Sequence, residues 1–166
     1  MSVTTRVETA GDVRIIEAVT IAAFLNAPHT SHTEQHIVDA LRMSGALAVS
    51  LVAEANGSVV GHIAVSPVSI ADGTSAWFGM GPVSVLPEHQ RRGIGSQLVR
   101  EALRLLRSRG AGGCVVLGEP EYYGRFGFQA DANLVLPGVP PRYFQAVSFG
   151  SSRPQGVVTY HAAFNR

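Results

Sequence analysis

The chain has 166 residues, the length of one domain, and its 46% hydrophobic and 15% charged content is that of a folded globular protein with a sizeable core. A net charge of +1 gives no basis for binding nucleic acid, and no run of 18 apolar residues offers a membrane span. All 13 basic side chains are arginine, which excludes the lysine of a P-loop, the ATP-binding lysine of a kinase and any Schiff-base lysine.

The N-terminal stretch has neither an apolar signal core nor an Arg-rich amphipathic pattern, so a cytoplasmic location is expected. Val3 to Glu8 alternates in polarity and predicts a first strand. Asp12 is placed as the N-cap of a helix reaching Asn26, with Ile15, Ile16, Val19 and Ala23 as its apolar stripe. Ser31 and Glu34 have capping-box spacing and open a second helix, which carries Ile37, Val38 and Leu41 and stops at Gly45. LAVSLVAEA and SVVGHIAVSPVSI flank Asn56-Gly57, a strong hairpin signal. A further turn at Ala71 to Thr74 leads to SAWFGMGPVSVL, a third strand of the meander. Gly79, Gly81 and Pro82 interrupt it and predict a bulge or splayed edge, because Pro82 has no N–H to donate.

From Gly93 the period becomes helical. Ile94, Leu98, Val99, Ala102, Leu105 and Leu106 face one way, and Arg100, Arg104 and Arg107 form a solvated face up to Gly110. A strand follows at CVVLG, where Cys114 reads as a small buried thiol; as the single cysteine it rules out an internal disulfide and a cysteine-rich zinc site. The segment YYGRFGF comes next, and FQAVSF and GVVTYHAAF are strands in a Pro- and Gly-rich tail. No repeat or long linker divides the chain, so residues 1–166 are read as one α/β domain on a mixed sheet.

The chemistry is concentrated in PEHQRRGIGSQL. A strand ends here in a polar loop that turns into a helix, whose first N–H groups have no partner within the helix and whose dipole favours anions. Bare glycines at Gly93 and Gly95 let a phosphate approach several main-chain N–H groups, with Arg91 and Arg92 adding charge. A pyrophosphate fits this arrangement; a turn with no ligand is the plain alternative. Dinucleotide-binding geometry is disfavoured, because Leu98 stands where a third small residue belongs and Pro87 to Arg92 separate strand from glycine.

QRRGIG, Gln90 to Gly95, together with YYGRFGF, Tyr122 to Phe128, one helix and one strand later, resembles the paired signatures of the GNAT superfamily of N-acetyltransferases. LGEPEYYGRFGF resembles its YhbS-like subgroup. The resemblance implies a mostly antiparallel central sheet splayed in the middle and flanked by helices. It also implies that acetyl-CoA is the co-substrate, with an acyltransferase reaction by direct attack of an amine on the thioester. The main chain of Val83, Ser84 and Val85 would pair with the pantetheine arm. Gln90, Arg91, Arg92, Gly93, Ile94, Gly95 and Ser96 would hold the pyrophosphate, with Tyr123 and Phe126 beside the cofactor. Tyr123 falls at the tyrosine that protonates the leaving thiolate; its bland reading is a packing aromatic beside Phe126 and Phe128. A main-chain N–H at Gly81 or Val83 is the candidate oxyanion donor.

For the proton of the incoming amine the candidates are Glu119, Glu121, His62 or a water relay, with Glu119 carried as the catalytic choice. His29, His32 and His36 have a spacing open to a metal, but the chemistry needs none, and they are read as lining the acceptor entrance. The acceptor is expected to be a small-molecule or peptide amine, and the late strands leave room for a homodimer. A non-catalytic acyl-CoA-binding module of the same fold is the alternative.

Overall fold

A computed structural model describes residues 2–28 and 30–165. Its centre is a nine-stranded sheet. Strands β1 (Val3–Val7), β2 (Val49–Ala55), β3 (Ser58–Ile70) and β4 (Trp77–Val85) form an antiparallel meander. Asn56 and Gly57 turn the β2–β3 hairpin with φ of 52° and 79°, the left-handed pair that a two-residue type I′ turn requires.

Helices α1 (Val13–Phe24) and α2 (Glu34–Met43) lie between β1 and β2 in the chain and cover one face of the meander. The other face packs on α3 (Ile94–Ser108), which buries Ile94, Leu98, Val99, Ala102, Leu103 and Leu106 in the main core. Leu103 replaces the expected Leu105, which stays half-buried. Beyond α3, β5 (Gly113–Leu117) returns parallel to β4, followed by the short helix α4 (Pro120–Tyr123) and a 3₁₀ turn at Gly124–Phe126. Two-residue strands β6 (Gln129–Ala130) and β7 (Leu134–Val135) are too short to show a period in sequence. Strand β8 (Phe144–Ser148) pairs antiparallel with β5 and β6, and β9 (Gly156–Tyr160) pairs with β7 and with the far end of β3.

Three local expectations change. Asp12 has helical backbone angles and makes no N-cap bond to α1. Its carboxylate accepts from the Thr9 N–H at 2.7 Å and from the Arg6 guanidinium at 2.7 and 3.0 Å, so the capping chemistry sits one turn earlier, at Thr9. Ile15 is exposed, and Ile16, Val19 and Thr20 form the buried stripe of α1, which ends at Phe24. Only half of the Ser31–Glu34 box forms: Glu34 accepts from the Ser31 N–H at 3.2 Å, while Ser31 Oγ meets Thr33 and Thr33 takes the N-cap position.

The feature that positions the site is the junction of β4 and β5. Between the pairs Ile63–Val83 and Val65–Met80, β4 carries one residue more than β3, a bulge at Gly81–Pro82. Parallel pairing of β4 with β5 stops at Met80–Val116, although β4 runs on to Val85. Among the described residues the last part of β4 therefore has no strand neighbour on that side, and the sheet opens there.

Candidate functional site

Antiparallel register decides which main-chain groups face the opening. The Leu86 N–H donates to the Val60 carbonyl at 2.9 Å, so hydrogen-bonded pairing recurs two residues on, between Ser84 and His62. Ser84 thus spends its main chain on β3, and its side chain is buried. The N–H and C=O groups of Val83 and Val85 point the other way, into the gap left by β5.

Beyond β4 the loop turns back over this edge. Arg91 and Gly93 both have left-handed angles, φ 65° and 81°. For Gly93 that costs nothing, whereas Arg91 holds a conformation unfavourable for a side-chain-bearing residue. Alternating hands of this kind turn successive N–H groups toward one point. The first main-chain bond of α3 runs from the Gln97 N–H to the Gly93 carbonyl at 3.0 Å. The N–H groups of Ile94, Gly95 and Ser96 therefore lack partners within the helix and add to its positive end.

These groups share a cleft of about 450 Å³. Val83 and Val85 form one wall, the loop from His89 to Ser96 forms the floor, and Tyr122, Tyr123 and Arg125 close the far side. Of the residues anticipated for the cofactor, Val83, Val85, Gln90, Arg91, Gly93, Ile94, Gly95, Ser96 and Tyr123 line this cleft. Ser84, Arg92 and Phe126 do not. Arg92 is exposed outside it, and Phe126 lies under the Arg100 guanidinium, 5.0 Å from its ring centroid. The Gln90 amide donates to the Val85 carbonyl at 3.0 Å, occupying one acceptor of the open edge.

Tyr123 is held from below. A Cβ at Gly118 would overlap the ring at Cε2, so only glycine admits Tyr123 at this position. The ring also meets Tyr122 edge-on at 4.9 Å and Phe128 at 5.9 Å. Burial pushes the phenol up to about 12, with smaller contributions from Tyr122 and Cys114, so the hydroxyl keeps its proton at neutral pH. Cys114 is fully buried, and burial raises its thiol well above the ordinary range, in keeping with a packed, unreactive group.

Sequence reasoning missed the parts played by His89, Tyr122 and Arg125. Tyr122 stands 3.3 Å from Ser96 Oγ, its hydroxyl 3.2 Å from where a Cβ of Gly95 would lie, and the Arg125 guanidinium stacks on its ring at 4.5 Å. The adjacent pair Tyr122-Tyr123 within YYGRFGF was the available signal, since consecutive aromatics on one helical turn face different neighbours.

The candidate bases lie elsewhere. Glu119 stands at the N-cap position of α4 without a side-chain capping bond and is exposed, as is Glu121, and neither lines the cleft. His62 is fully buried on the face of β3 opposite α3. Its Nε2 is 2.8 Å from Ser50 Oγ, which donates to Glu8, and Glu8 pairs with Arg42 at 2.7 Å. Burial lowers His62 to about 4, with Arg42 acting in the same direction and Glu8 opposing, so it is the neutral, buried end of a network whose other members, Glu8 and Arg42, are half-buried. His32 and His36 are exposed at the start of α2, and His29 lies outside the described residues.

Comparison with known proteins agrees with this geometry. The profile of the family described as Acetyltransferase (GNAT) domain matches residues 47–130, from just before β2 through the β4 edge, loop, α3 and Tyr123. The chain is 36% identical over 159 residues to the uncharacterized N-acetyltransferase YhbS of Escherichia coli K12, covering 91% of this chain and 95% of that protein. Among solved structures, a GNAT family acetyltransferase from Brucella melitensis in complex with acetyl-CoA superposes with a TM-score of 0.88 at 49% identity, covering 98% of both chains. Escherichia coli YhbS in complex with CoA superposes at 0.89 and 35% identity, covering 99% of this chain and 92% of that one. With the open β4 edge, the glycine loop at the head of α3 and Tyr123 all meeting in one cleft, the chain belongs to the GNAT family of acetyltransferases.

Proposed function

We propose that this protein transfers the acetyl group of acetyl-CoA to a primary amine by direct attack on the thioester. The observation that carries the reading is the convergence, in one cleft, of an unpaired strand edge, a row of unpartnered N–H groups and a half-buried, protonated phenol. Its fit to the co-substrate rests on this chain's own groups. The loop from Arg91 to Ser96 offers donors to a pyrophosphate, and Val83 and Val85 offer a strand-like edge to the amide-bearing pantetheine arm. When bound, acetyl-CoA supplies an activated acyl carbon and a good leaving group.

The protein's part is to hold both reactants in one frame and to place donors where charge develops. Val83 N–H, turned away from β3 beside the bulge, donates to the carbonyl oxygen as it gains charge. Tyr123 O–H donates to the departing sulfur. The amine's proton passes to water at the rim, with Glu119, exposed at the head of α4, as the carboxylate that takes it up.

The test is a panel of primary amines assayed by release of free CoA thiol, with Tyr123→Phe as the diagnostic variant. Loss of a general acid lowers turnover by about 10²- to 10⁴-fold. CoA affinity should hold steady, because the phenyl ring still fills its seat on Gly118. A variant with wild-type turnover removes Tyr123 as the acid; no turnover with any amine, alongside normal CoA binding, favours a binding module instead.

A further inference from the structure

The lips of the opening are Gly81 and Leu117, the residues that follow the last β4–β5 pair, Met80–Val116. Cys114 and Val116 of β5 point into the core under α3, and Val115 points into a second core on the other face. Strand alternation puts Leu117 on that second face, where it is 49% exposed. A single exposed leucine says little, but its neighbour says more. Opposite Leu117 in the register with β8 stands Phe144, which is buried and walls a hollow of about 490 Å³. Leu134, Leu136, Val139 and Pro141 line the same hollow. Its two charged side chains, Asp131 and Arg142, are of opposite sign and engaged locally. Asp131 accepts from the Asn133 N–H at 2.9 Å, and Arg142 stacks on the Tyr143 ring at 4.6 Å and donates to its hydroxyl. A concavity of this size with such a lining selects by apolar contact.

Resting on the acetyl-transfer reading above, we propose that this hollow receives the apolar substituent of the acceptor. The substrate class is then a monoamine with an alkyl or aromatic tail, rather than a polyamine or an amino sugar. Val83, Val85 and Tyr123, which face the cofactor, all pack on the α3 side. The amine therefore reaches the thioester from the other face, over Leu117. Neighbouring strands lie about 5 Å apart, so a tail leaving an amine at the lips crosses Leu117 and meets Phe144 within one strand spacing. Asp131 and Arg142 cancel in charge, and the hollow offers no net attraction to a second ammonium, which would lose its water there. The wall is also fixed to the acid. The Gly118 N–H donates to the Tyr143 carbonyl at 2.9 Å, and the Gln145 amide donates to the Gly118 carbonyl at 3.1 Å. Gly118 is the seat of Tyr123, so hollow and phenol are held in one frame.

The experiment measures kcat/KM with acetyl-CoA for the unbranched amines from propylamine to hexylamine, for 2-phenylethylamine and for spermidine. The alkylamines share one basicity, so only the tail differs along the series. In the wild type kcat/KM should rise about fourfold per methylene, the worth of burying one CH₂, and the rise should come through KM. Spermidine should fall below hexylamine. Val139→Trp, which fills the hollow, and Val139→Asp, which charges it, should each flatten the series, with melting temperature and CoA affinity as checks on folding. Turnover that is flat along the wild-type series, or a rise that survives in both variants, overturns this proposal and leaves the acetyl-transfer reading standing. Should a second copy of the chain fill the hollow instead, the series is flat and Val139→Asp changes the oligomeric state, which overturns it equally. No turnover with any amine, alongside normal CoA binding, removes the acetyl-transfer reading and this proposal with it.

Discussion

Tyr123 depends on a residue with no side chain. Because a Cβ at Gly118 overlaps the ring, Gly118→Ala must push Tyr123 out of its seat or shift β5. Overpacking of this kind costs about 1–3 kcal/mol. Gly118→Ala should therefore melt earlier and lose turnover together, whereas Tyr123→Phe should lose turnover with little change in melting; matching melting curves for Gly118→Ala and wild type would refute the packing argument. His62 makes a separate prediction through its network with Ser50, Glu8 and Arg42. Its folded pKa is depressed, from 6.5 to about 4, so its contribution is complete above pH 6.5 and is lost as pH falls toward 4, where the unfolded chain binds the proton first. A shift of this size corresponds to roughly 3 kcal/mol across that window. Urea unfolding from pH 7 to pH 4 should show this decline, and His62→Gln should flatten it; an unchanged slope would assign the acid sensitivity to other groups. Glu8 adds in the same sense, because hydrogen bonds from Arg42 and Ser50 outweigh its burial and hold its carboxyl below the ordinary value.

At the level of elements, the site is made by two irregularities, one in a strand and one at a helix start. The bulge at Gly81–Pro82 and the early end of β4–β5 pairing expose Val83 and Val85, and the left-handed Gly93 aims the first turn of α3 at that edge. No atom lies within 4 Å of a Cβ built at Gly93, so Gly93→Ala is resisted by backbone conformation alone. A left-handed alanine costs roughly 1–2 kcal/mol. The variant should either lose that stability or relax the loop; in both cases CoA binding should weaken while the far-UV spectrum stays that of the wild type. Undiminished CoA affinity would mean that the loop's N–H groups do not hold the pyrophosphate.

For the whole molecule, the decisive quantity is linkage between ligand and fold. A ligand present at about a hundred times its dissociation constant stabilises the native state by ~2.7 kcal/mol. For a domain of this size the melting temperature should rise by roughly 5–10 °C, at about 2–4 °C per kcal/mol. Acetyl-CoA and CoA should produce that rise and NADH and ATP should not, because neither carries a pantetheine arm to lie along Val83 and Val85. A comparable shift with ATP would mean that the cleft recognises phosphate without the arm.

What the sequence determined by itself was local chemistry. Asn56-Gly57 dictates a hairpin because both residues tolerate positive φ, the period of α3 announces an apolar face, and Gly93 and Gly95 mark a helix start open to an anion. Tertiary structure decided which groups meet. Periodicity defines a helical face but not what packs against it, so Leu103 could replace Leu105 in the core, and Thr9 could take the capping role expected of Asp12 once Arg6 claimed its carboxylate. His62 sits one strand from the opening in sequence terms, yet strand alternation turns it to the opposite face and seals it. Tyr122 and Arg125 reach the loop from Arg91 to Ser96 only because β5 and α4 return beside α3, a contact between segments some thirty residues apart that no local pattern encodes.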